Sequence, residues 1–403
     1  MNHLSIYNFG PVKKADLELK SINFLIGEQS IGKSTMAKLI AIFTDNASLS
    51  IITTSGLKSW NMRLKMYDLD IYISDTYRIK YDYQDSHYSL SISITKSRVN
   101  TSLFVDGKKI DRKEVGVEIT RMRRMFHEGA FYTDLAEEIK ALNNNEDKRY
   151  QVLSLQSVIE SSLYVPAERI AFSLNDNLKN AFSLLGDAVS YTFRRFMISL
   201  DRARNKQKKY DSRILGITYL NEESGQYFID SVSKKKYHLY NASSGIQSAI
   251  PLFLVLNDIK NREYSSIVIE EPETNLFPNT QVDVLKLILQ RARVDGRIVT
   301  ITTHSPYLLS AMNNFLYAGF VTDRIKNRSA KTRLDEIIPN DLRLRLDDCA
   351  VYSIGESINR NGEYCKSILD EDMGMIDANT LDKVSFSLSE QFDKLQDLYL
   401  SNN

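Results

Sequence analysis

Hydrophobic and polar positions change their period several times along the chain. Alternation with a period of two covers residues 2–26 and 66–106, which predicts short strands and an antiparallel meander. A spacing of three to four residues between apolar side chains covers 176–204 and predicts an amphipathic helix. From about residue 240, short apolar runs alternate with helical patterns. This alternation predicts a parallel sheet covered by helices.

Individual elements follow from the same patterns. Strands are predicted at 163–165, 266–269 and 297–302, and a hairpin is predicted to pair 216–219 with 227–229. Residues 112–160 are polar and mostly helical in pattern. Helices are also predicted over Gln281–Ala292, from Pro306 onward, and at the C-terminus, where Leu381, Leu388, Phe392, Leu395 and Tyr399 recur at helical spacing.

A glycine-rich loop follows the apolar run at 22–26 and precedes a predicted helix that ends near Phe43. Strand, glycine-rich loop, Lys-Ser and helix is the context of a phosphate-binding P-loop, with an ordinary strand–turn–helix corner as the alternative. Lys33 is expected to reach the β- and γ-phosphates, and the Ser34 hydroxyl is expected to hold Mg²⁺. The nucleotide-binding residues are predicted to be Gly27, Glu28, Gln29, Ser30, Ile31, Gly32, Lys33, Ser34 and Thr35.

Acidic residues end the apolar strand at 266–269. Carboxylates at the end of a buried parallel strand are costly unless they serve a cation or a proton. We therefore expect Glu270 to coordinate Mg²⁺ and Glu271 to polarise the water that attacks the γ-phosphate. A solvated acidic turn is the alternative.

Two further motifs complete the candidate site. His304 ends the next predicted strand, where it is expected to contact the γ-phosphate, because an imidazole donates hydrogen bonds and titrates near neutral pH. Residues 241–248 form a second small-residue loop before an apolar helix, which predicts a second anion site or, alternatively, a capped helix start. One ATP does not need two such loops from one chain. A symmetric dimer does, if Ser244 and Gly245 of one copy close off the γ-phosphate held by the other.

Bulk composition excludes some classes of protein. The chain has 403 residues, 43% hydrophobic and 26% charged, with a net charge of +1, so no global charge attracts nucleic acid or a membrane. We expect no membrane span, because no stretch approaches 18 uninterrupted apolar residues. Two cysteines without a metal-binding spacing and the lack of a signal-peptide pattern favour a cytoplasmic location. The end of the predicted helix at 176–204 is basic, and it is either a contact for DNA phosphate or a partner or a solvated helix end; its basic residues are Arg202, Arg204, Lys206, Lys208 and Lys209.

These motifs, in this order, resemble the ATP-binding-cassette (ABC) class of P-loop ATPases. Walker A is Gly27–Ser34, Walker B is Ile267–Glu271, the signature loop is Ser243–Ser248 and the switch histidine is His304. Within the class, the chain is similar to the branch shared by SMC-type DNA-repair ATPases and OLD-family proteins. The motifs typical of that branch are Asn8–Pro11, Val165–Arg169, Glu270–Pro278 and Thr303–Pro306.

The resemblance extends to the ATPase subunits of bacterial anti-phage systems such as Septu, PARIS and certain retrons. It implies an α/β P-loop NTPase fold of ABC type, with a mixed sheet, an antiparallel β subdomain and a helical lobe. It also implies ATP and Mg²⁺ as cofactors, catalytic roles for Lys33, Glu271 and His304, and Ser34 and Glu270 as metal ligands. Nucleotide would be closed between two copies by Ser243, Ser244, Gly245 and Gln247 acting in trans.

Departures from the family pattern bear on the rate of hydrolysis. Ile246 replaces a glycine of the signature, Glu270 stands where Asp is commoner, and no Q-loop glutamine is placed. These departures favour slow turnover or the use of ATP as an assembly clamp. Asp370-Glu371-Asp372 lacks the context of a metal nuclease and is predicted to be a turn, so any effector chemistry is assigned to a separate chain.

The resemblance also predicts the division of the chain. An ATPase domain is expected at 1–320, composed of a P-loop and antiparallel β part (1–110), a helical lobe or insertion (111–235) and a lobe with signature, Walker B and switch (236–320). Residues 321–403 are expected to be a helical region that contacts a partner or another copy. The expected partners are a second copy, as a homodimer or higher even oligomer, and a separate nuclease or toxin. The alternatives are a DNA-clamping repair ATPase, through 194–213 and Arg121–Arg124, and the ATPase half of a transporter.

Overall fold

The computed structural model describes residues 2–110, 162–174, 189–259, 264–293, 297–355, 363–377 and 380–401. The predicted helical stretch at 112–160, Arg121–Arg124 and the first part of the predicted helix at 176–204 lie outside these residues. The helices are α1 (Lys33–Thr44), α2 (Asn46–Ser55), α3 (Leu57–Met66), α4 (Tyr191–Lys206), α5 (Ser244–Asp258), α6 (Pro278–Ala292), α7 (Pro306–Thr322), α8 (Arg328–Ile337) and α9 (Thr380–Ser401).

The strands of the described residues group into four sheets. They are β1 (Asn2–Phe9), β2 (Val12–Leu19), β3 (Ile22–Gly27), β4 (Arg78–Gln84), β5 (Tyr88–Thr95), β6 (Val99–Val105), β7 (Lys108–Lys109), β8 (Ser162–Val165), β9 (Lys209–Ser212), β10 (Ile217–Glu222), β11 (Gly225–Asp230), β12 (Lys236–His238), β13 (Ser266–Glu270), β14 (Ile298–Thr303), β15 (Cys349–Ile354), β16 (Cys365–Ser367), β17 (Leu369–Asp370) and β18 (Met375–Ile376).

The central sheet has the order β16-β15-β3-β14-β13-β8. β15, β3, β14, β13 and β8 run parallel, and β16 adds an antiparallel edge. Every residue of β3, β13 and β15 is buried, as expected for parallel strands covered on both faces. The predicted parallel sheet is therefore confirmed. β14 lies between β3 and β13, so the three strands that precede the candidate site motifs are direct neighbours.

The central sheet extends past the predicted domain boundary at residue 320. β15 pairs in parallel with β3 from Cys349↔Ile22 to Ile354↔Gly27, so residues beyond 320 complete the central sheet. Without β15, the P-loop strand would be an edge with unpaired backbone groups. The region at 321–403 is also not purely helical, because it contributes β15 to β18. Asp370 ends β17, and Glu371 and Asp372 lie in the turn of the β17–β18 hairpin, in agreement with the predicted turn.

A second sheet, with the order β2-β1-β4-β5-β6-β7, is antiparallel and confirms the meander. The meander of β4, β5 and β6 begins at Arg78 and not at residue 66, because α3 ends at Met66 and a 3-10 turn follows at Asp70–Tyr72. Helix α1 belongs to the apolar core between this sheet and the central one. Phe43 of α1 stacks on Tyr81 of β4 with a centroid distance of 5.1 Å. The P-loop helix is therefore held between two sheets.

Helices α4, α5, α6 and α7 share an apolar core with the other face of the central sheet. Helix α4 packs on α5 and on β8, beside a small antiparallel sheet with the order β12-β11-β10-β9, which contains the predicted hairpin. No single helix in the described ranges is long and apolar enough to cross a membrane. One pair, Lys33–Thr44 with Ala47–Thr53, meets that length and composition test only when joined across a bend of 78°.

Candidate nucleotide site

The carboxyl ends of three adjacent parallel strands bring the predicted site residues together. β3 leads into the P-loop, β14 leads into His304 and β13 ends in Glu270. The register pairs Ile26 with Thr303 and Glu270 with Thr302, so the three ends lie at the same level of the sheet. Ligands of open α/β sheets bind at this edge.

Two glycines fix the shape of the P-loop. A Cβ on Gly27 would lie 2.4 Å from the carbonyl oxygen of Ile354 and 2.4 Å from Ile31 Cδ1, so only glycine fits beside β15. Gly32 has φ of +98° and forms the N-cap of α1, a conformation in which a side chain would be strained. The loop therefore delivers the chain into α1 with its N-terminal N–H groups available to an anion.

Lys33 begins α1 and is only 5% exposed. Its Nζ donates to the carbonyl oxygen of Gly27 at 2.7 Å and to that of Glu28. Burial lowers the pKa of Lys33, and the nearby carboxylates of Glu271, Glu273 and Glu270 oppose that change. The ammonium is thus held at the loop, close to three acidic side chains from another strand end.

Glu270 has the chemistry expected of a metal ligand. It is 6% exposed, and within the part of the chain that the structure describes, its Oε1 has no hydrogen-bond partner. Burial raises the pKa of Glu270, and the hydroxyls of Ser34 and Tyr164 oppose the rise. A buried carboxylate oxygen without a donor, beside the exposed Ser34, fits a divalent cation. Mg²⁺ commonly binds through one or two protein oxygens together with water and phosphate, so Ser34 and Glu270 would hold it.

Glu271 and His304 form a neighbouring pair. His304 Nδ1 lies 3.6 Å from Glu271 Oε1, and their side chains are 38% and 28% exposed. Glu271 raises the pKa of His304, and His304 lowers the pKa of Glu271. The backbone of Glu271 has φ of +41°, and its N–H donates to the carbonyl oxygen of Thr302 at 3.0 Å. This left-handed turn separates the partly exposed Glu271 from the buried Glu270.

Glu273 is a site residue that was not assigned a role from the sequence. It is 4% exposed, and its Oε1 accepts from Thr303 Oγ1 at 2.7 Å and from the backbone N–H of His304 at 3.0 Å. Its Oε2, also buried, has no hydrogen-bond partner among the described residues. Glu273 therefore ties the Walker B turn to the switch histidine. The only sequence signal was a third acid after a proline in Glu270-Glu271-Pro272-Glu273.

Arg169 is a second such residue. It is 1% exposed and lies in the 3-10 turn that follows β8. Its guanidinium donates to the carbonyl oxygens of Glu270 at 2.6 Å and Glu271 at 2.8 Å, and its Nε donates to that of Ser248 at 3.4 Å. Arg169 thus joins the Walker B turn to the signature helix α5. Its place in the motif Val165–Arg169 gave no indication of these partners.

The signature residues lie at the start of α5 and differ in how far they are exposed to solvent. Ser243 is the N-cap, and Ser243 and Ser244 are exposed. A Cβ on Gly245 would lie 2.7 Å from the carbonyl oxygen of Asn275, which requires glycine there. Gln247 is buried, and its Nε2 donates to backbone carbonyl oxygens of Leu239 and Tyr240 at 3.3 and 2.7 Å. Gln247 thus anchors its own loop, whereas both serines face outward.

Four of the eight basic residues at 194–213, all of them on α4, contact other parts of the chain. Arg195 and Arg204 are buried and donate to the carbonyl oxygens of Ser162 and Phe172. Arg202 and Lys206 both pair with Asp258, each at 2.9 Å. These four cations connect α4 to neighbouring elements, and their charge is already compensated or buried.

A comparison with protein families assigns the chain to one of them. A family model described as an AAA ATPase domain matches residues 1–212 and 167–309. No curated protein sequence matches the chain.

Solved structures with a similar arrangement include three SMC heads. The SMC head bound to the C-winged helix domain of ScpA has 10% identity and a TM-score of 0.41, and the match covers 93% of this chain and 99% of that one. The SMC head domain from Thermotoga maritima has 11% identity and a TM-score of 0.37, covering 77% and 90%. The SMC head with an extended coiled coil, bound to the C-terminal domain of ScpA derived from Pyrococcus furiosus, has 12% identity and a TM-score of 0.38, covering 97% and 99%. The family model matches residues 1–212 and 167–309, which is more than half of the chain, so the chain belongs to the AAA ATPase domain family.

Proposed function

We propose that this chain binds and hydrolyses ATP with Mg²⁺. The observation that carries the proposal is the buried Oε1 of Glu270, which has no hydrogen-bond partner among the described residues, next to the Ser34 hydroxyl. The Glu271–His304 pair begins at the next residue along the chain. A cation bound beside Ser34 would neutralise phosphate charge, and the free Oε1 of Glu270 would be one of its ligands. The adjacent pair would act on the terminal phosphate.

The roles divide according to burial and charge. Lys33 would exchange its two carbonyl partners for β- and γ-phosphate oxygens. Glu271, held ionised by His304, would accept a hydrogen bond from the attacking water and orient it. His304, whose charged form Glu271 favours, would donate to the γ-phosphate. Glu273 would hold the His304 backbone in place.

We further propose that two copies close around the nucleotide. Ser243 and Ser244 are exposed at the N-terminus of α5, where their hydroxyls and the helix N–H groups can meet a phosphate held by another chain. Arg169 would connect this contact to the catalytic Glu271, because its guanidinium donates to the carbonyl oxygens of both Ser248, in the same helix, and Glu271.

The biological role that we propose is control of a separate nuclease or toxin in a cytoplasmic anti-phage complex, with the ATP-bound dimer holding or releasing that effector. Support comes from the motif resemblance to such ATPase subunits. The internal use of Arg195, Arg202, Arg204 and Lys206 favours this role over a DNA clamp built on the same helix.

Glu271→Gln tests the proposal. The variant should bind ATP, lose at least about 100-fold in turnover because the water is no longer polarised, and accumulate as a dimer measurable by mass. Glu336→Gln, an exposed change on α8, is the control and should behave as the unmodified chain. Unchanged turnover in Glu271→Gln would contradict the role of Glu271 in hydrolysis. A variant that stays monomeric at saturating ATP would contradict the closure of two copies around the nucleotide.

A salt titration of DNA affinity separates the two biological roles. A clamp should lose affinity steeply as salt rises, whereas an effector scaffold should bind DNA little at any salt. Co-expression with adjacent genes, followed by mass measurement of the purified complex with and without ATP, tests the effector directly. An ATP-independent monomer with no co-purifying chain would contradict the scaffold role.

A further inference from the structure

Tyr364 connects the C-terminal part of the chain to the P-loop. Its hydroxyl donates to the carbonyl oxygen of Ile31, 333 positions earlier, and the side chain is 9% exposed. The tyrosine is itself held by the central sheet, because its carbonyl oxygen accepts from the N–H of Gly355 at 2.8 Å and β16 follows directly after it. The contact therefore braces the nucleotide loop against the edge of the sheet.

The carbonyl oxygen of Ile31, which Tyr364 bonds, is part of the same peptide as the Gly32 N–H, a group that could donate to a phosphate. The Ile31 carbonyl and the Gly32 N–H belong to one planar trans peptide, in which they point in opposite directions. A donor that holds the Ile31 oxygen on one side of the loop therefore keeps the Gly32 N–H directed to the other side. Gly32 has φ of +98° and no side chain to restrain it, so a contact from outside the loop can set the orientation of this peptide.

Packing supports the same role. A Cβ on Gly32 would lie 2.7 Å from the Tyr364 hydroxyl, so the loop and the phenol are in direct contact with no room for a side chain between them. Ile354, at the end of β15, approaches Gly27 in the same way. Both glycines of the P-loop thus lie against the C-terminal strands.

We propose that Tyr364 is a positioning residue for the nucleotide: it orients the Ile31–Gly32 peptide so that the Gly32 N–H faces the phosphates. The inference rests on the proposed nucleotide function of the P-loop and adds a residue outside all of its motifs. Its effect should be on binding of both ATP and ADP, because the loop N–H groups serve phosphates that the two share. The chemical step, which depends on Glu271 and His304, should change little.

Tyr364→Phe removes only the hydroxyl, and Tyr352→Phe is the matched control. Tyr352 is also buried, on β15, and its hydroxyl bonds both the N–H and the carbonyl oxygen of Glu18, away from the P-loop. In the full chain, Tyr364→Phe should weaken ADP and ATP binding about 3- to 10-fold, the scale of one lost hydrogen bond, and raise KM with kcat within about twofold. Tyr352→Phe should leave nucleotide affinity unchanged.

Hydrogen exchange provides an independent measurement. ADP should slow exchange of the Gly355 N–H, which bonds to Tyr364, in the unmodified chain and much less in Tyr364→Phe, because coupling between two sites is reciprocal. Three results would each overturn the role of Tyr364. They are a nucleotide affinity of Tyr364→Phe equal to that of the unmodified chain, a loss of affinity in Tyr352→Phe as large as that in Tyr364→Phe, and exchange of the Gly355 N–H that ADP does not slow in the unmodified chain. Failure of the unmodified chain to bind ATP would instead overturn the proposed function.

Discussion

His304 Nδ1 lies 3.6 Å from Glu271 Oε1, and each residue favours the charged form of the other. The His304 pKa is raised, so its contribution to stability is complete below the unfolded pKa and is lost as the pH rises through the folded pKa. The Glu271 pKa is lowered, so its contribution is present above its unfolded pKa and is lost as the pH falls through the folded value. The pair is therefore strongest in the mildly acidic range between the two unfolded values.

The first prediction concerns the titration of His304. In an NMR titration of the five histidines, assigned with His304→Asn, the His304 pKa should lie above its ordinary value and should fall in Glu271→Gln, which removes the charge that raises it. An unchanged His304 pKa in Glu271→Gln would mean that the two groups are not coupled in solution.

The second prediction is that Glu270→Gln stabilises the nucleotide-free chain. Burial raises the pKa of Glu270, so ionisation costs free energy in the folded state. Stability is lost as the pH rises from the unfolded pKa through the folded pKa, and the full loss remains above it. At pH 7 the variant should have a higher free energy of unfolding and a higher Tm than the unmodified chain, and the gain should vanish below pH 4.5.

The same variant should lose Mg²⁺-dependent ATP affinity, because a neutral amide is a weaker ligand for Mg²⁺ than a carboxylate. Thermal melts with and without Mg-ATP measure both effects. A lower Tm for the nucleotide-free variant, compared with the exposed control Glu336→Gln, would contradict the unfavourable burial of Glu270.

The third prediction is that Lys33→Ala abolishes ATP binding, because Lys33 is the buried ammonium at the loop. Lys20→Ala is a suitable control, since Lys20 precedes the opposite end of β3 and pairs with Glu18 at 2.6 Å. Equilibrium binding of a fluorescent ATP analogue measures the effect. Nanomolar-to-micromolar affinity in Lys33→Ala would refute the P-loop assignment.

The fourth prediction separates Glu273 from Glu271. Glu273→Ala removes the acceptor of the Thr303 hydroxyl and the His304 N–H, so the switch strand end should loosen and turnover should fall about 10- to 100-fold with ATP still bound. Steady-state kinetics should show the loss in kcat more than in KM. Glu222→Ala, which breaks an exposed pair with Lys236, should leave both parameters unchanged, and an equal loss there would indicate a general loss of folding.

Local pattern was sufficient for most elements of the sheet. Hydrophobic periodicity and short motifs were enough to predict four features, because each of them depends on residues that are close in sequence. These features are the P-loop, the acidic end of β13, His304 after β14 and the meander. The extent of the sheet was not predicted: β15 is an apolar run of six residues, and only its pairing with β3 shows that it belongs to the ATPase core.

The sequence by itself determined which groups are predicted to serve a nucleotide: the loop at Gly27–Ser34, the carboxylates Glu270 and Glu271, and the imidazole of His304. Only the tertiary structure decided how those groups are held. Arg169, Glu273 and Tyr364 act through backbone atoms far away in the chain or on neighbouring strands. Backbone carbonyls and N–H groups are the same for every residue type, so no sequence pattern records which of them a distant side chain will bind.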